Sequence, residues 1–298
     1  MRSLIFLSAV IFMLFACRKR LDNFLFSNDN SITEYQLDNY TGRTTLDVGD
    51  SYAIDPALIH EFMIPMTFQG EEIQLAAIYV GDTTQISIDT VIMYCHGTAD
   101  HMDFYWPRQK LYANLGGKNR FGVLMIDYPG YGLSEGSPTE ENMYASVDAG
   151  LNWLKTKGLT KERLVLFGFS LGTAPTCQVA GNESSFSLAP GKFILEAPFA
   201  SAEVMVQDAA LLAMPSSYFV NIKIDNAEEI KKATAPFLWI HGEADSYLSI
   251  HTHGEVVFNT YPKSTKTAVR VPGGEHEDTP FVMGYENYLS AILNFITQ

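Results

Sequence analysis

Between residues 90 and 271 short apolar runs alternate with longer amphipathic stretches, and few folds accept that pattern. The runs are Thr90–Cys95, Val123–Ile126, Leu164–Phe167, Phe193–Leu195 and Phe237–Ile240, with a more polar one at Thr267–Val271. Near-continuous hydrophobicity marks strands covered on both faces, as in a parallel sheet. The clearest helix between them is Thr139–Lys157: Thr139 can cap its start, Tyr144, Val147, Leu151 and Leu154 fall at helical spacing, and Gly158 follows its end. Leu171–Val179 and Phe281–Ile296 supply further helices. The alternation predicts one doubly wound, mostly parallel sheet with helices on both faces. Glu61–Thr67 and Ile73–Val80, flanking Phe68-Gln69-Gly70-Glu71-Glu72, predict an antiparallel hairpin ahead of it.

Composition fits a globular α/β protein, with 47% hydrophobic and 18% charged residues in a chain of 298. That length allows one domain or two. Acidic side chains number 34 against 20 basic, for a formal charge of −14, and the body carries no basic cluster. Nucleic acid is therefore not an expected partner. Three cysteines cannot form a disulfide framework.

The N-terminus reads as an address. Arg2 precedes an apolar run from Leu4 to Phe15, too short for the ~20 residues that span a bilayer. Leu14, Ala16 and Cys17 resemble the lipobox of bacterial lipoproteins, in which the cysteine is lipidated and becomes the mature N-terminus. The expected organisation is a signal peptide over 1–16, a polar, lipid-anchored tether over 17–57 and one domain over 58–298. The expected place is the bacterial cell envelope, anchored to a membrane and facing the periplasm or the exterior. There Cys95 and Cys177 would be free thiols or one bridge.

In doubly wound sheets the chemistry lies at the carboxyl ends of the strands. Two segments match G-x-S-x-G: Gly132-Leu133-Ser134-Glu135-Gly136 and Gly168-Phe169-Ser170-Leu171-Gly172. Only the second has a strand before it and a helix after it, as a strained turn that lifts a serine hydroxyl requires. Ser134 sits among loop residues, before Ser137-Pro138. Pro175, early in the helix after Ser170, is expected to remove a hydrogen bond. A serine needs a base to take its proton and a carboxylate to orient that base. Asp245 and His276 follow the ends of the two last predicted strands, in the chain order Ser, Asp, His. Asp225, Glu243 and Asp278 are competing carboxylates. The oxyanion donors are expected at the amides of Leu171 and of Thr98, with Gly97 as the alternative to Thr98.

These motifs resemble the α/β-hydrolase superfamily, and within it the serine hydrolases of the protein-depalmitoylase and bem46-like branch. The resemblance rests on His96-Gly97-Thr98-Ala99, Asp127-Tyr128-Pro129-Gly130-Tyr131-Gly132-Leu133-Ser134, the run from Pro138 to Ala145, and Gly168 to Pro175. It continues through Glu196-Ala197-Pro198-Phe199, His241-Gly242-Glu243-Ala244-Asp245 and Gly273-Gly274-Glu275-His276-Glu277-Asp278. It implies the α/β-hydrolase fold with little or no cap domain, Ser170 as nucleophile, Asp245 as acid, His276 as base, and cleavage of an acyl ester or thioester. Thr98 departs from the family's usual asparagine, and Glu275 and Glu277 make the histidine loop more acidic than usual.

Other readings are weaker. His96-Gly97-Thr98-Ala99-Asp100-His101 meets the metal-hydrolase pattern H-x-H-x-D-H except at Thr98, and no further ligand cluster follows, so neither metal nor cofactor is expected. His251 and His253, two residues apart, make no ligand pair and are expected on the surface. Leu211, Leu212, Met214, Tyr218 and Phe219 are candidates to line a substrate pocket, or ordinary helix packing. A prolyl-oligopeptidase-type peptidase shares the catalytic order but carries a large accessory domain. A binding protein on a degenerate hydrolase fold would have lost a catalytic residue, and none is missing. The expected partner is a small-molecule or acylated substrate, and the protein is expected to be a monomer.

Overall fold

The computed structural model describes residues 25–117, 120–210 and 222–298. Its strands are β1 Ser27–Asn28, β2 Ile59–Phe68, β3 Glu71–Val80, β4 Val91–Cys95, β5 Ala99–Asp100, β6 Gly122–Ile126, β7 Leu164–Phe169, β8 Lys192–Glu196, β9 Phe237–Gly242 and β10 Lys266–Val271. Its α-helices are α1 Met102–Ala113, α2 Glu140–Thr156, α3 Thr173–Gly181, α4 Ala202–Ala210, α5 Asn226–Glu229, α6 Glu255–Thr260, α7 Thr279–Met283 and α8 Tyr285–Thr297. Eight strands form one sheet in the order β10-β9-β8-β7-β4-β6-β3-β2. The pairs from β6 to β10 are parallel; β3 joins β6 and β2 antiparallel.

Alternation along each strand divides the core. Met93, Leu166, Leu195 and Trp239 face one apolar layer, closed by Val147 and Leu151 of α2, Cys177 of α3 and Val257 of α6. Tyr94, Phe167, Ile194 and Ile240 face the other, closed by Trp106 and Tyr112 of α1 and Ile292 of α8. With both faces covered, the middle strands have no polar side, which is why they read as apolar runs. Thr139 caps α2 as expected, its hydroxyl accepting from the Asn142 amide at 3.1 Å. The helix expected over Phe281–Ile296 is broken at Gly284, whose φ of +81° suits glycine. Pro175 is the third residue of α3, where a backbone N–H has no intrahelical partner, so no helical bond is lost.

The expected tether needs correction. From Leu25 to residue 57 the chain lies on the domain: β1 pairs with β5 in parallel, and Leu25, Leu46, Val48 and Ile54 are buried. Asp103 accepts from the Gln36 and Leu37 amides, and the Tyr35 hydroxyl donates to Asp127 at 2.5 Å. Those bonds are to backbone and to single side chains, so the segment carries no periodicity to read. Cys17 lies outside the described residues. Among the described residues no helix is long and apolar enough to cross a membrane.

Candidate active site

Strand β7 ends in a sharp turn. Ser170 has φ +50°, a left-handed conformation rare for a residue with a side chain. The glycines around it are dictated by space. A Cβ on Gly168 would lie 2.4 Å from the Gly172 carbonyl oxygen, and one on Gly172 would lie 2.0 Å from that of Cys95. The turn therefore packs directly on the end of β4.

His276 and Asp245 meet Ser170 from the loops after β10 and β9. Nε2 of His276 is 2.9 Å from Ser170 Oγ, and Nδ1 is 2.8 Å from Asp245 Oδ2. The Tyr247 and Leu248 amides donate to Asp245 Oδ1 at 3.0 and 2.7 Å. Burial pushes the Asp245 carboxyl up, but hydrogen bonds from His241 and His276 outweigh it and hold the group well below the usual carboxylate range. His241 acts in a fixed tautomer. Trp239 Nε1, which can only donate, points at His241 Nδ1 from 3.4 Å, so Nε2 carries the hydrogen and faces the Leu248 carbonyl at 2.9 Å and Asp245 Oδ2 at 3.3 Å. Sequence reasoning used His241 only as part of a motif. Its position two residues after Trp239 on the strand that ends at Gly242 was the available signal.

Of the competing carboxylates, Glu243 is exposed and the other two have partners of their own. Asp225 caps α5 by accepting from the Glu228 amide, and Asp278 accepts from the Glu275 amide. The Glu275 side chain accepts from the amide and hydroxyl of Ser246, both at 3.0 Å, which ties the His276 loop to the Asp245 loop. Glu277 pairs with Arg43 at 3.3 Å. Ser134 is buried; its hydroxyl donates to the Asp127 carbonyl at 2.6 Å and accepts from the Ala76 amide at 2.9 Å.

A second feature missed from sequence is Arg108 on α1, which is fully buried. It donates to Glu196 at 2.8 Å and to the Glu277 carbonyl at 2.8 Å, and its guanidinium lies 4.1 Å from the centre of the Phe169 ring. Phe169 packs in turn on His276 at 5.3 Å between ring centres. Thr279 and Tyr288 also donate to Glu196. One guanidinium thus touches the residue before Ser170 and the residue after His276.

Thr98 and Leu171 flank Ser170 in a small pocket with Leu25, Phe199, Met205 and Tyr247. The Tyr131 hydroxyl donates to the Thr98 carbonyl at 3.0 Å, and a Cβ on Gly97 would meet the Tyr105 hydroxyl at 2.7 Å. The loop carrying the Thr98 amide is thereby fixed, and a Cβ on Gly97 would also lie 3.2 Å from the ring of Phe169, the residue before Ser170. The candidate pocket residues Leu211, Leu212, Met214, Tyr218 and Phe219 lie outside the described residues.

His96 is spent inside the fold: its ring lies between Tyr105 and Tyr128, at 4.9 and 4.3 Å, Nδ1 is 2.8 Å from the Gly97 carbonyl and Nε2 is 3.2 Å from Asp127 Oδ1. Among the described residues no three His, Cys, Asp or Glu side chains converge on a metal position. Cys95 and Cys177 are both free and buried. His251 is exposed as expected, but His253 is not: it is buried, its Nδ1 accepting from the Ala200 amide at 3.2 Å. The π-helical turn Ile250–Gly254 rotates it inward, a local irregularity that spacing does not reveal.

Residues 90–189 match a family described as having the alpha/beta hydrolase fold. Alpha/beta hydrolase domain-containing protein 17B of Xenopus tropicalis is 29% identical over 70% of this chain and 66% of its own. The human protein 17C is 28% identical over 69% of this chain and 57% of its own. The chain thus spans less than two thirds of the length of these relatives. Among solved structures, the Pyrococcus furiosus esterase Pf2001 superposes with a TM-score of 0.64 at 13% identity, covering 92% of this chain and 97% of that one. Est1E from Butyrivibrio proteoclasticus, with ferulic acid bound, gives a TM-score of 0.59 at 17% identity, covering 78% and 99%. The chain has the α/β-hydrolase fold.

Proposed function

We propose that the protein is a serine hydrolase that cleaves an acyl ester or thioester through an acyl-enzyme. The observation that carries this reading is the position of His276, bonded to Ser170 on one nitrogen and to Asp245 on the other. With Nδ1–H donating to Asp245, Nε2 is free to accept the Ser170 proton as Oγ attacks the acyl carbonyl. The negative charge on the former carbonyl oxygen falls to the amides of Leu171 and Thr98. His276 then gives its proton to the departing alcohol or thiol. Water repeats the sequence on the acyl-enzyme, releasing the acid and restoring Ser170. Asp245 stays ionised throughout and holds the imidazolium in place. Removing one oxyanion donor typically costs roughly 3 kcal/mol, but both donors here are backbone groups that side-chain substitution leaves in place.

The resemblance to the protein-depalmitoylase branch and the likeness to esterases favour esters and thioesters over amides. The experiment is a panel of p-nitrophenyl esters, acyl thioesters and aminoacyl anilides, run on protein made in a bacterial host fed radiolabelled palmitate. Ester or thioester turnover well above anilide turnover is expected; faster anilide cleavage would make the protein a peptidase. Palmitate should be incorporated and lost in Cys17→Ser; equal label in both would end the reading of Cys17 as an envelope anchor.

A further inference from the structure

We propose that Leu25, from the segment ahead of the domain, is a specificity-determining residue that limits the length of the acyl group at Ser170. The inference rests on the serine-hydrolase reading above and adds what that site accepts. Leu25 lines the same pocket as Ser170, Thr98 and Leu171, and the side chain is 2% exposed. Between these residues and Phe199, Met205 and Tyr247 the pocket keeps about 10 Å³ of free space, about enough for one water. Part of the pocket wall is thus already occupied by an aliphatic side chain of this chain's own.

Leu25 is fixed rather than draped. Its carbonyl accepts from the Thr98 hydroxyl at 2.6 Å, and the Ser27 amide donates back to the Thr98 carbonyl at 3.2 Å and hydroxyl at 3.0 Å. Further along, Asn28 donates to the Gly130 carbonyl at 2.5 Å, the Asp29 amide to Asp100 at 3.1 Å, and the Gly132 amide to Asp29 at 2.7 Å. The Thr98 hydroxyl grips the Leu25 carbonyl, so the oxyanion loop and the segment carrying Leu25 belong to one arrangement. An acyl chain that grows from Ser170 into this pocket meets Leu25 after few carbons.

Truncating Leu25 to alanine removes three carbons, and each methylene moved into apolar contact is worth roughly fourfold in binding. The test measures kcat/KM for p-nitrophenyl acetate, butyrate and hexanoate in wild type, Leu25→Ala and Leu25→Phe, with Tm as the check on folding. The hexanoate-to-acetate ratio should rise roughly 10- to 50-fold in Leu25→Ala and fall below the wild-type value in Leu25→Phe. If Leu25→Ala does not fold, Leu25→Val should show the same rise on a smaller scale. A ratio that stays within twofold of wild type in the folded variants, while esters are still cleaved, overturns the role of Leu25 and leaves the hydrolase reading intact. A wild-type protein that cleaves neither these esters nor acyl thioesters of the same chain lengths overturns both.

Discussion

At Asp245 two opposing effects are resolved by counting donors. Burial alone would favour the neutral acid, yet His241, His276 and two backbone amides all donate to it, and the ionised form wins. A group with a depressed folded pKa gives stability that is present above its unfolded value, about 3.9, and is lost only as pH falls through the lower folded value. Acidification from neutrality therefore leaves Asp245 charged down to about pH 4. The acid limb of log kcat/KM is expected to reach a slope of no more than one in that range. A slope of two would mean that Asp245 titrates in the same range and that its donors do not hold it. Ser170, Asp245 and His276 were legible because each follows a strand, where motif and topology agree. His241 and Arg108 were not: each looks like any polar residue near an apolar stretch until the partner across the fold is known.

Among the elements, the strands of the eight-stranded sheet and α2 were readable from hydrophobic patterning, with boundaries that moved by a residue or two, whereas the short β1–β5 pair was not. The break at Gly284 and the inward turn at His253 escaped because each depends on one local conformation. The Arg108–Glu196 pair shows how α1, β8 and the His276 loop are held in register. A buried pair that loses one partner leaves the other charge without compensation, at a cost of about 3–5 kcal/mol. Arg108→Met should therefore destabilise the protein by about that much in urea unfolding, lowering kcat through the loosened Glu277 carbonyl. Adding Glu196→Gln should recover part of the stability. A neutral single variant would show that the pair neither supports the fold nor seats the histidine loop.

For the whole molecule, residues 25–57 change the meaning of the site. A segment that reads as polar linker supplies Leu25 to the pocket, Ser27 and Asn28 to the oxyanion loop and Arg43 to Glu277. Its hydrogen bonds go to backbone atoms and single side chains far along the chain, which no local pattern encodes. The acidic balance is less specific: Glu275 and Glu277 have structural partners beside the site. The central claim is that Ser170, and not the second serine in a matching motif, is the nucleophile. It is tested most directly by treating folded protein with a fluorophosphonate and locating the adduct by peptide mass spectrometry. The adduct should sit on Ser170, vanish in Ser170→Ala and persist in Ser134→Ala; modification that survives Ser170→Ala, or none in the wild type, would contradict the account.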